Sequence, residues 1–381
     1  MDFRDHLHIV FCSDHYNPLG VVRSLGEEGI KPIAILVSNE KPHLVNNSKY
    51  LGRLHLVETI DQGFQILITN YGDEEKKPFI YTCSDDIESY VDHHYDGLIS
   101  HFYFFNSGEQ GRVSKIMEKN VMCMMAAQCG LETPKTEEVV VGTLPKTLRY
   151  PVMTKSIIST IENWKENVHI CYNEQELKEA YKSIRGNKIN VQEFIKKKNE
   201  LCIDGLSING GDEIYMPIQS SYIRFTPQGY GNYILFEKFK EDNLFDKIHA
   251  LFKLTNFSGI FSIEFLKDEN DKYYFLEINF RNSTWSYAHT KMGVNLPVIY
   301  AKSVLSGHLD VSCVKHVKVP FTAMSEFSDF GENVKTGIIS IFHWLNDVRR
   351  CGCLFTYNKE DNKPFWSLLC FLIKKKLLKK G

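Results

Sequence analysis

The stretch FLEINFRNSTW, Phe275–Trp285, reads as a β-strand with a polar side chain at every second position. Side chains alternate across a strand, so Glu277, Asn279 and Arg281 share one face and Leu276, Ile278 and Phe280 the other. Just upstream, GIFSIEFLKDENDKYYFLEIN alternates Phe261, Ile263 and Phe265 with Ser262 and Glu264, and the polar KDENDK between the two runs is a hairpin turn signal. A turn centred on Asn270–Asp271 sets Glu264 directly opposite Glu277 and Ser262 opposite Asn279. Like charges facing each other in a hairpin destabilise it unless a positive group lies between them. A divalent cation resolves the conflict. Two carboxylates and an amide oxygen are all-oxygen ligands, which suit Mg²⁺ or Mn²⁺ and not zinc. On periodicity alone, a solvated polar face above a Phe/Ile/Leu core face accounts for the same pattern.

The 381 residues, 43% of them hydrophobic, suffice for two or three packed domains. A net charge of −2 gives no support to a general nucleic-acid binder. The start MDFRDHLHIVFCSDHYN carries charges and His where a signal peptide has its apolar region, and no apolar run is long enough for a membrane-spanning helix. A cytoplasmic protein is therefore expected. Ten Cys are scattered without a CxxC pair, and only Cys351 and Cys353 are close-spaced, which fits reduced thiols better than a disulfide framework or a zinc site.

Residues 8–37 read as β-α-β. HIVFC is a buried strand, Asn17-Pro18 an N-cap followed by the first helical position, and Leu19, Val22 and Leu25 an apolar stripe that Gly29 ends before the strand PIAILV. PFIYTC is a further strand that leaves into the polar SDD. Residues 1–113 are expected to form an open parallel α/β domain, where ligands gather at the carboxyl ends of strands; without GxGxxG after the first strand, a dinucleotide site is not expected. A helix over Ser114–Gly130, strands at EVVVG, YPVMTKS and INVQEFI, an amphipathic helix at QELKEAYKSI and a Gly-Gly hairpin at INGGDEI follow.

Taken in order, MEK…GLETP, YPVMTKS, VQEFI…NE, GIFSIEF, LEINFR and GVNLP resemble the ATP-grasp superfamily. They resemble its carboxylate–amine ligase branch, which includes D-aspartate ligases and related cell-envelope enzymes. The resemblance covers roughly residues 110–310, and its weight lies in the order and spacing of six motifs that are each weak alone. It implies an ATP-grasp fold of α/β and α+β class. A Rossmann-like domain over 1–113 would precede an ATP-grasp domain over 114–310, with a smaller lobe at about 135–205 and a larger lobe at about 206–310, and an extension over 311–381.

The resemblance also implies ATP with Mg²⁺ or Mn²⁺, and roles residue by residue. Lys119 and Lys155 match the phosphate-binding lysines. At Glu193 and Ile195 the main chain would bond the adenine edge, with Phe194 or Ile195 packed on its face. Glu200 matches the carboxylate that accepts the ribose hydroxyls. Glu264, Glu277 and Asn279 match the metal ligands, and Arg281 the cation on the transferring phosphoryl group. Arg224 lies where related enzymes place a cation near the acyl phosphate. Two departures stand out. KSIISTIENWKENVHIC has no Gly where many members carry a Gly-rich phosphate loop, which leaves Ser159, Thr160 and Lys165 as side-chain donors, with Trp164 among them. Ser262 stands where several members have Arg.

The chemistry so implied is phosphoryl transfer from ATP to a carboxylate, attack of an amine on the acyl phosphate, and release of ADP and phosphate. The partners are a small amino acid or other carboxylate and an amine acceptor, such as an envelope precursor or a sugar. Three alternatives remain open: a ligase with another acceptor, a nucleotide-binding regulatory protein without turnover, and a glycosyltransferase with two α/β domains. The C-terminal PFWSLLCFLIKKKLLKKG starts at Pro364 and carries five Lys in its last eight residues. It either docks Leu368, Leu369 and Ile373 on the protein's own core or lies on the cytoplasmic membrane face with its Lys near anionic headgroups.

Overall fold

The computed structural model describes residues 2–157, 167–226 and 230–378. Strands β1 (His8–Ser13), β2 (Ile33–Val37), β3 (Arg53–Val57) and β4 (Phe79–Thr82) form a parallel sheet in the order β3-β2-β1-β4. The continuous apolar runs of β1 and β4 are buried, as strands covered on both faces require. The helix after β1 starts at Tyr16, one residue before the expected cap. His15 is the N-cap, its ring accepting from the Asn17 amide at 3.2 Å. Asn17 lies inside the helix, where its Nδ2 donates to the carbonyls of Cys83 (3.0 Å) and Asn282 (2.8 Å). Bridging two buried carbonyls outweighs capping, because each would otherwise lack a donor.

The helix expected over Ser114–Gly130 is broken into Arg112–Ile116 and Lys119–Gln128, with Glu118 extended between them (ψ 122°). Each piece follows its own partner. The carboxylate of Asp92 caps the first through the amides of Val113 (3.2 Å) and Ser114 (2.8 Å). The second leans on the site hairpin, where Met122 Sδ accepts from the Ile278 amide at 3.0 Å. The break leaves Lys119 as the first residue of a helix.

Strands β5 (Thr136–Val140), β6 (Val152–Lys155), β7 (Ile170–Cys171) and β8 (Lys188–Glu193) make an antiparallel sheet in the order β5-β8-β6-β7. A larger sheet follows: β9 (Lys197–Ile208), β10 (Glu213–Phe225), β11 (Gly231–Lys238), β12 (Gly259–Asp268), β13 (Tyr273–Asn279), β14 (Phe321–Met324) and β15 (Cys353–Leu354). Its order is β13-β12-β9-β10-β11-β14-β15, antiparallel except for the parallel β14–β15 pair. Because β9 belongs to it from Lys197, the sheet boundary lies between 193 and 197 and not near 205. Nor do residues 311–381 stand apart, since they supply β14 and β15. The expected Gly-Gly hairpin joins β9 to β10. A Cβ on Gly211 (φ 90°) would lie 2.4 Å from the Phe252 carbonyl, which only glycine allows.

One face of the large sheet, with Phe261 and Ile263, packs on Phe252 of the helix Asp242–Thr255. The opposite face is polar along part of β12 and β13. Beyond that, the helix Leu296–Ser306 wedges in, and its Tyr300 packs edge-on to Phe79 and Tyr81 of the parallel sheet.

Candidate active site

The expected pairs form from Glu264 outward, while nearer the turn the register is shifted by one, so that Phe265 faces Phe275 and Lys267 faces Tyr273. Glu264 pairs with Glu277 and Ser262 with Asn279, with Asp271 at φ 63° in the turn and a bulge just past Glu264. On the other side of β12, Cys202 of β9 faces Glu264 and Asp204 faces Ser262. Glu277, Glu264 and Cys202 therefore form one cross-strand row, and Asn279, Ser262 and Asp204 the next. Glu200, two residues before Cys202, shares the face, and the ligand atoms of Glu200, Cys202 and Glu264 lie within 4.8 Å of one another.

Asn279 orders the centre. Its Nδ2 donates to Glu264 Oε1 at 3.0 Å, and its Oδ1 accepts from Arg281 at 2.9 Å. Arg281 is held in turn by Asp85, with Nε 2.7 Å from Oδ1. Asp85 opens the helix that follows β4, so the carboxyl end of the parallel sheet meets the carboxylate row. From the small sheet and the helix Lys119–Gln128 come two lysines. Lys155, at the end of β6, has its proton affinity lowered by burial and by the nearby charge of Lys119. Cys123, one turn beyond Lys119, lies among Lys119, Lys155 and Glu277; burial raises its thiol pKa against the pull of the lysines.

The glutamates retain some surface in the cleft, yet their carboxyls are crowded by protein. Burial pushes Glu264 well above the ordinary carboxylate range, and the charges of Glu277 and Glu200 add to it while Arg281 opposes. Burial also raises Glu277, against the pull of Lys119 and Arg281. Facing carboxyls whose pKa values are raised by burial and by the charge of neighbouring carboxylates leave room for added positive charge, which a divalent cation would supply. The oxygens of Glu264, Glu277 and Asn279 are of the type that suits Mg²⁺ or Mn²⁺, although Asn279 Oδ1 here accepts from Arg281.

No protein-family model and no curated protein sequence matches the chain. Solved structures do. An L-amino acid ligase from Bacillus licheniformis superposes with a TM-score of 0.60 at 15% identity, over 79% of this chain and 74% of that one. A biotin carboxylase complex from Campylobacter jejuni gives 0.61 at 15%, over 82% and 72%. An N5-carboxyaminoimidazole synthetase from Staphylococcus aureus with ADP gives 0.60 at 13%, over 79% and 77%. The chain has the ATP-grasp fold. The narrower likeness to D-aspartate ligases rests on the sequence motifs.

Within this fold the segment expected to read adenine connects the two antiparallel sheets. The amide of Glu193 already donates to Lys135 O (2.8 Å) and that of Phe194 to Pro151 O (3.1 Å). The Glu193 carbonyl and the Ile195 amide are the main-chain groups on which the expectation of adenine binding then rests. Glu200, the expected ribose ligand, accepts from Lys197 at 2.5 Å. The loop residues Ser159, Thr160, Trp164 and Lys165 lie outside the described residues.

Arg224 is the clear correction. It was expected beside the acyl phosphate, but its guanidinium is engaged by Asp329 (2.9 and 2.7 Å) and Asp347 (2.9 Å) and lies 5.1 Å over the Tyr233 ring. A bidentate bond to the fully buried Asp329 is hard to give up. β10 is also three strands from β13, about 14 Å at the usual strand spacing. Arg224 clamps the C-terminal segment to the sheet.

Sequence reading missed Asp85, Cys202, Asp204 and His289. Asp85 lies in the polar exit SDD, a signal that marked the place and not the partner. Cys202 and Asp204 are single residues in an apolar run, and His289 lies in the mixed stretch SYAHTKM, which carries no periodic signal. Asp204 Oδ2 lies 3.5 Å from Nε2 of the buried His289, and neither side chain makes a hydrogen bond among the described residues.

Proposed function

We propose that this chain is an ATP-dependent carboxylate–amine ligase, which activates a small carboxylate, such as an amino acid, as an acyl phosphate and transfers it to an amine. The observation that carries the reading is the Glu264–Glu277 pair on one sheet face, with Arg281 just beyond the same strand and Lys119 and Lys155 brought in from two other parts of the chain. Phosphoryl transfer needs positioning and charge stabilisation, and this is the arrangement that supplies both.

Lys119 and Lys155 hold the polyphosphate. The Glu193 carbonyl and Ile195 amide orient the base, and Glu200 the ribose. Glu264, Glu277 and Asn279 would hold Mg²⁺ or Mn²⁺, which when bound screens the phosphate charge. Arg281, steadied by Asp85, faces the phosphoryl group as it moves to the carboxylate. An amine acceptor from the class of envelope precursors or amino sugars accords with the D-aspartate-ligase-like motifs.

The test is ADP release across a panel of amino acids with amino-sugar and envelope-precursor acceptors. Release that depends on both a carboxylate and an amine, and is lost in Glu277→Gln with the thermal melt preserved, supports the proposal. ADP release indifferent to either substrate, or an active Glu277→Gln protein, overturns it.

A further inference from the structure

Residues 335–381 carry ten Lys and Arg against three Asp and Glu, a net +7 in a chain of net −2, so residues 1–334 carry −9. Two of those three acids are already bound within the protein, Asp347 by Arg224 and Asp361 by Arg23. The same segment exposes large apolar side chains. The helix Ile341–Arg350 has no buried residue, and Phe342 is 81% exposed, Leu345 51% and the neighbouring Ile338 59%. Along the helix Lys363–Leu378, Trp366 is 53% exposed and Ile373 51%.

Both helices lean on one short helical stretch. Phe327 and Phe330, three residues apart on the helical stretch 326–334, share a face. Phe330 meets Trp344 of one helix at 5.2 Å between ring centroids, and Phe327 meets Phe365 of the other at 5.2 Å. With Trp344 and Phe365 turned inward, Phe342 and Leu345 on one helix and Trp366 and Ile373 on the other remain at the surface. Both helices are pinned. Asp347 is tied to Arg224, while His43 bonds Ser367 (3.1 Å) and stacks on Phe371 (4.3 Å). Leu368 packs on the core, so the expected docking holds for part of the last helix and leaves Ile373 outside. No described helix is long and apolar enough to cross a membrane.

We infer that these two helices dock the protein on an anionic membrane surface, their exposed apolar side chains entering the acyl boundary and Arg349, Arg350 and Lys374–Lys376 meeting the headgroups. Held apolar groups beside a basic cluster, on an otherwise acidic chain, match an anionic lipid interface. Because Arg224 ties the helix Ile341–Arg350 to β10 through Asp347, a bound membrane holds a fixed orientation to the large sheet. The inference does not depend on the ligase reading.

The test is sedimentation of the full chain with phosphatidylcholine vesicles, with and without phosphatidylglycerol, alongside light scattering. The protein is expected to pellet with the anionic vesicles only and to be released by added salt. Phe342→Asp/Leu345→Asp and, separately, Trp366→Ser/Ile373→Ser should each cut the bound-to-free ratio by roughly tenfold with the thermal melt unchanged. Equal recovery in the supernatant with both vesicle types, or binding indifferent to both variants, overturns the inference. So does a dimer that Phe342→Asp/Leu345→Asp makes monomeric in a protein that binds no vesicles, since a second copy then covers the face.

Discussion

Two acid clusters in this molecule solve opposite problems. Arg23 and Asp361 form an ion pair with side-chain exposures of 0% and 1%. Arg23 donates Nε to Asp361 Oδ2 (3.0 Å), one terminal nitrogen to Phe355 O (2.9 Å) and the other to Thr356 O and Asp361 O (both 2.9 Å). Asp361 also accepts from Ser48 Oγ and the Lys49 amide, both at 2.8 Å. The charges cancel, and the cluster joins segments 338 residues apart. Glu264 and Glu277 instead face each other across the hairpin, Glu264 taking one bond from the Asn279 side-chain amide and the pair drawing on the charges of Lys119 and Arg281. A saturated cluster holds the chain together. An unsaturated one keeps a place for something that binds.

The largest effect should follow from breaking the unsaturated cluster. Glu277→Gln is expected to cut ADP formation by roughly a thousandfold or more, since it removes a carboxylate that stabilises charge only through the ion it holds. The melting temperature should hold or rise, because the substitution also removes a repulsion. Arg23→Ala is the mirror experiment. It leaves Asp361 buried and unpaired and should cost about 3–5 kcal/mol in denaturant unfolding. A small stability loss in Arg23→Ala together with a large one in Glu277→Gln would reverse the comparison.

Proton linkage gives a third test. The pKa values of both Glu264 and Glu277 are raised in the fold, so the folded protein binds more protons than the unfolded chain at pH values above the ordinary carboxylate range. Their contribution to stability is present at low pH and lost as pH rises through the raised values. Melting without metal should therefore fall on that rise, and Mg²⁺ should restore it in the wild type more than in Glu277→Gln. A metal-free profile flat through this range would mean that the carboxyls are well solvated.

Much of this was legible because the hairpin is local. Alternation and a polar turn give Glu264 opposite Glu277 and Ser262 opposite Asn279, while the bulge past Glu264 shifts the pairs nearer the turn by one, which alternation alone does not give. The parallel sheet was legible for the same reason, since continuous apolar runs such as HIVFC announce buried strands. Partners distant in sequence were not. Arg224 has the same alternation signal as Arg281, and only the fold shows that one meets Asp329 and Asp347 while the other meets Asn279 and Asp85. Asn17 looked like a cap because its neighbour is Pro18, yet two carbonyls more than sixty residues away compete for its amide. The helix Ile341–Arg350 escaped notice because exposure, not periodicity, makes it unusual.

The smallest effect concerns Glu200, which stands between the two kinds of role. Its ligand oxygen lies within 4.8 Å of those of Cys202 and Glu264, and it adds to the raised pKa of Glu264, yet it also takes a bond from Lys197. If it receives the ribose hydroxyls, Glu200→Ala removes charge-assisted hydrogen bonds made equally in the ground and transition states. Such a loss is about 1.5 kcal/mol, or about tenfold in KM for ATP, with kcat retained at saturating nucleotide. If it belongs to the carboxylate row, kcat falls and the metal requirement shifts while KM for ATP stays. Measuring both constants at two Mg²⁺ levels separates these outcomes. A kcat loss with unchanged KM would move Glu200 from the nucleotide to the metal and extend the unsaturated cluster onto β9.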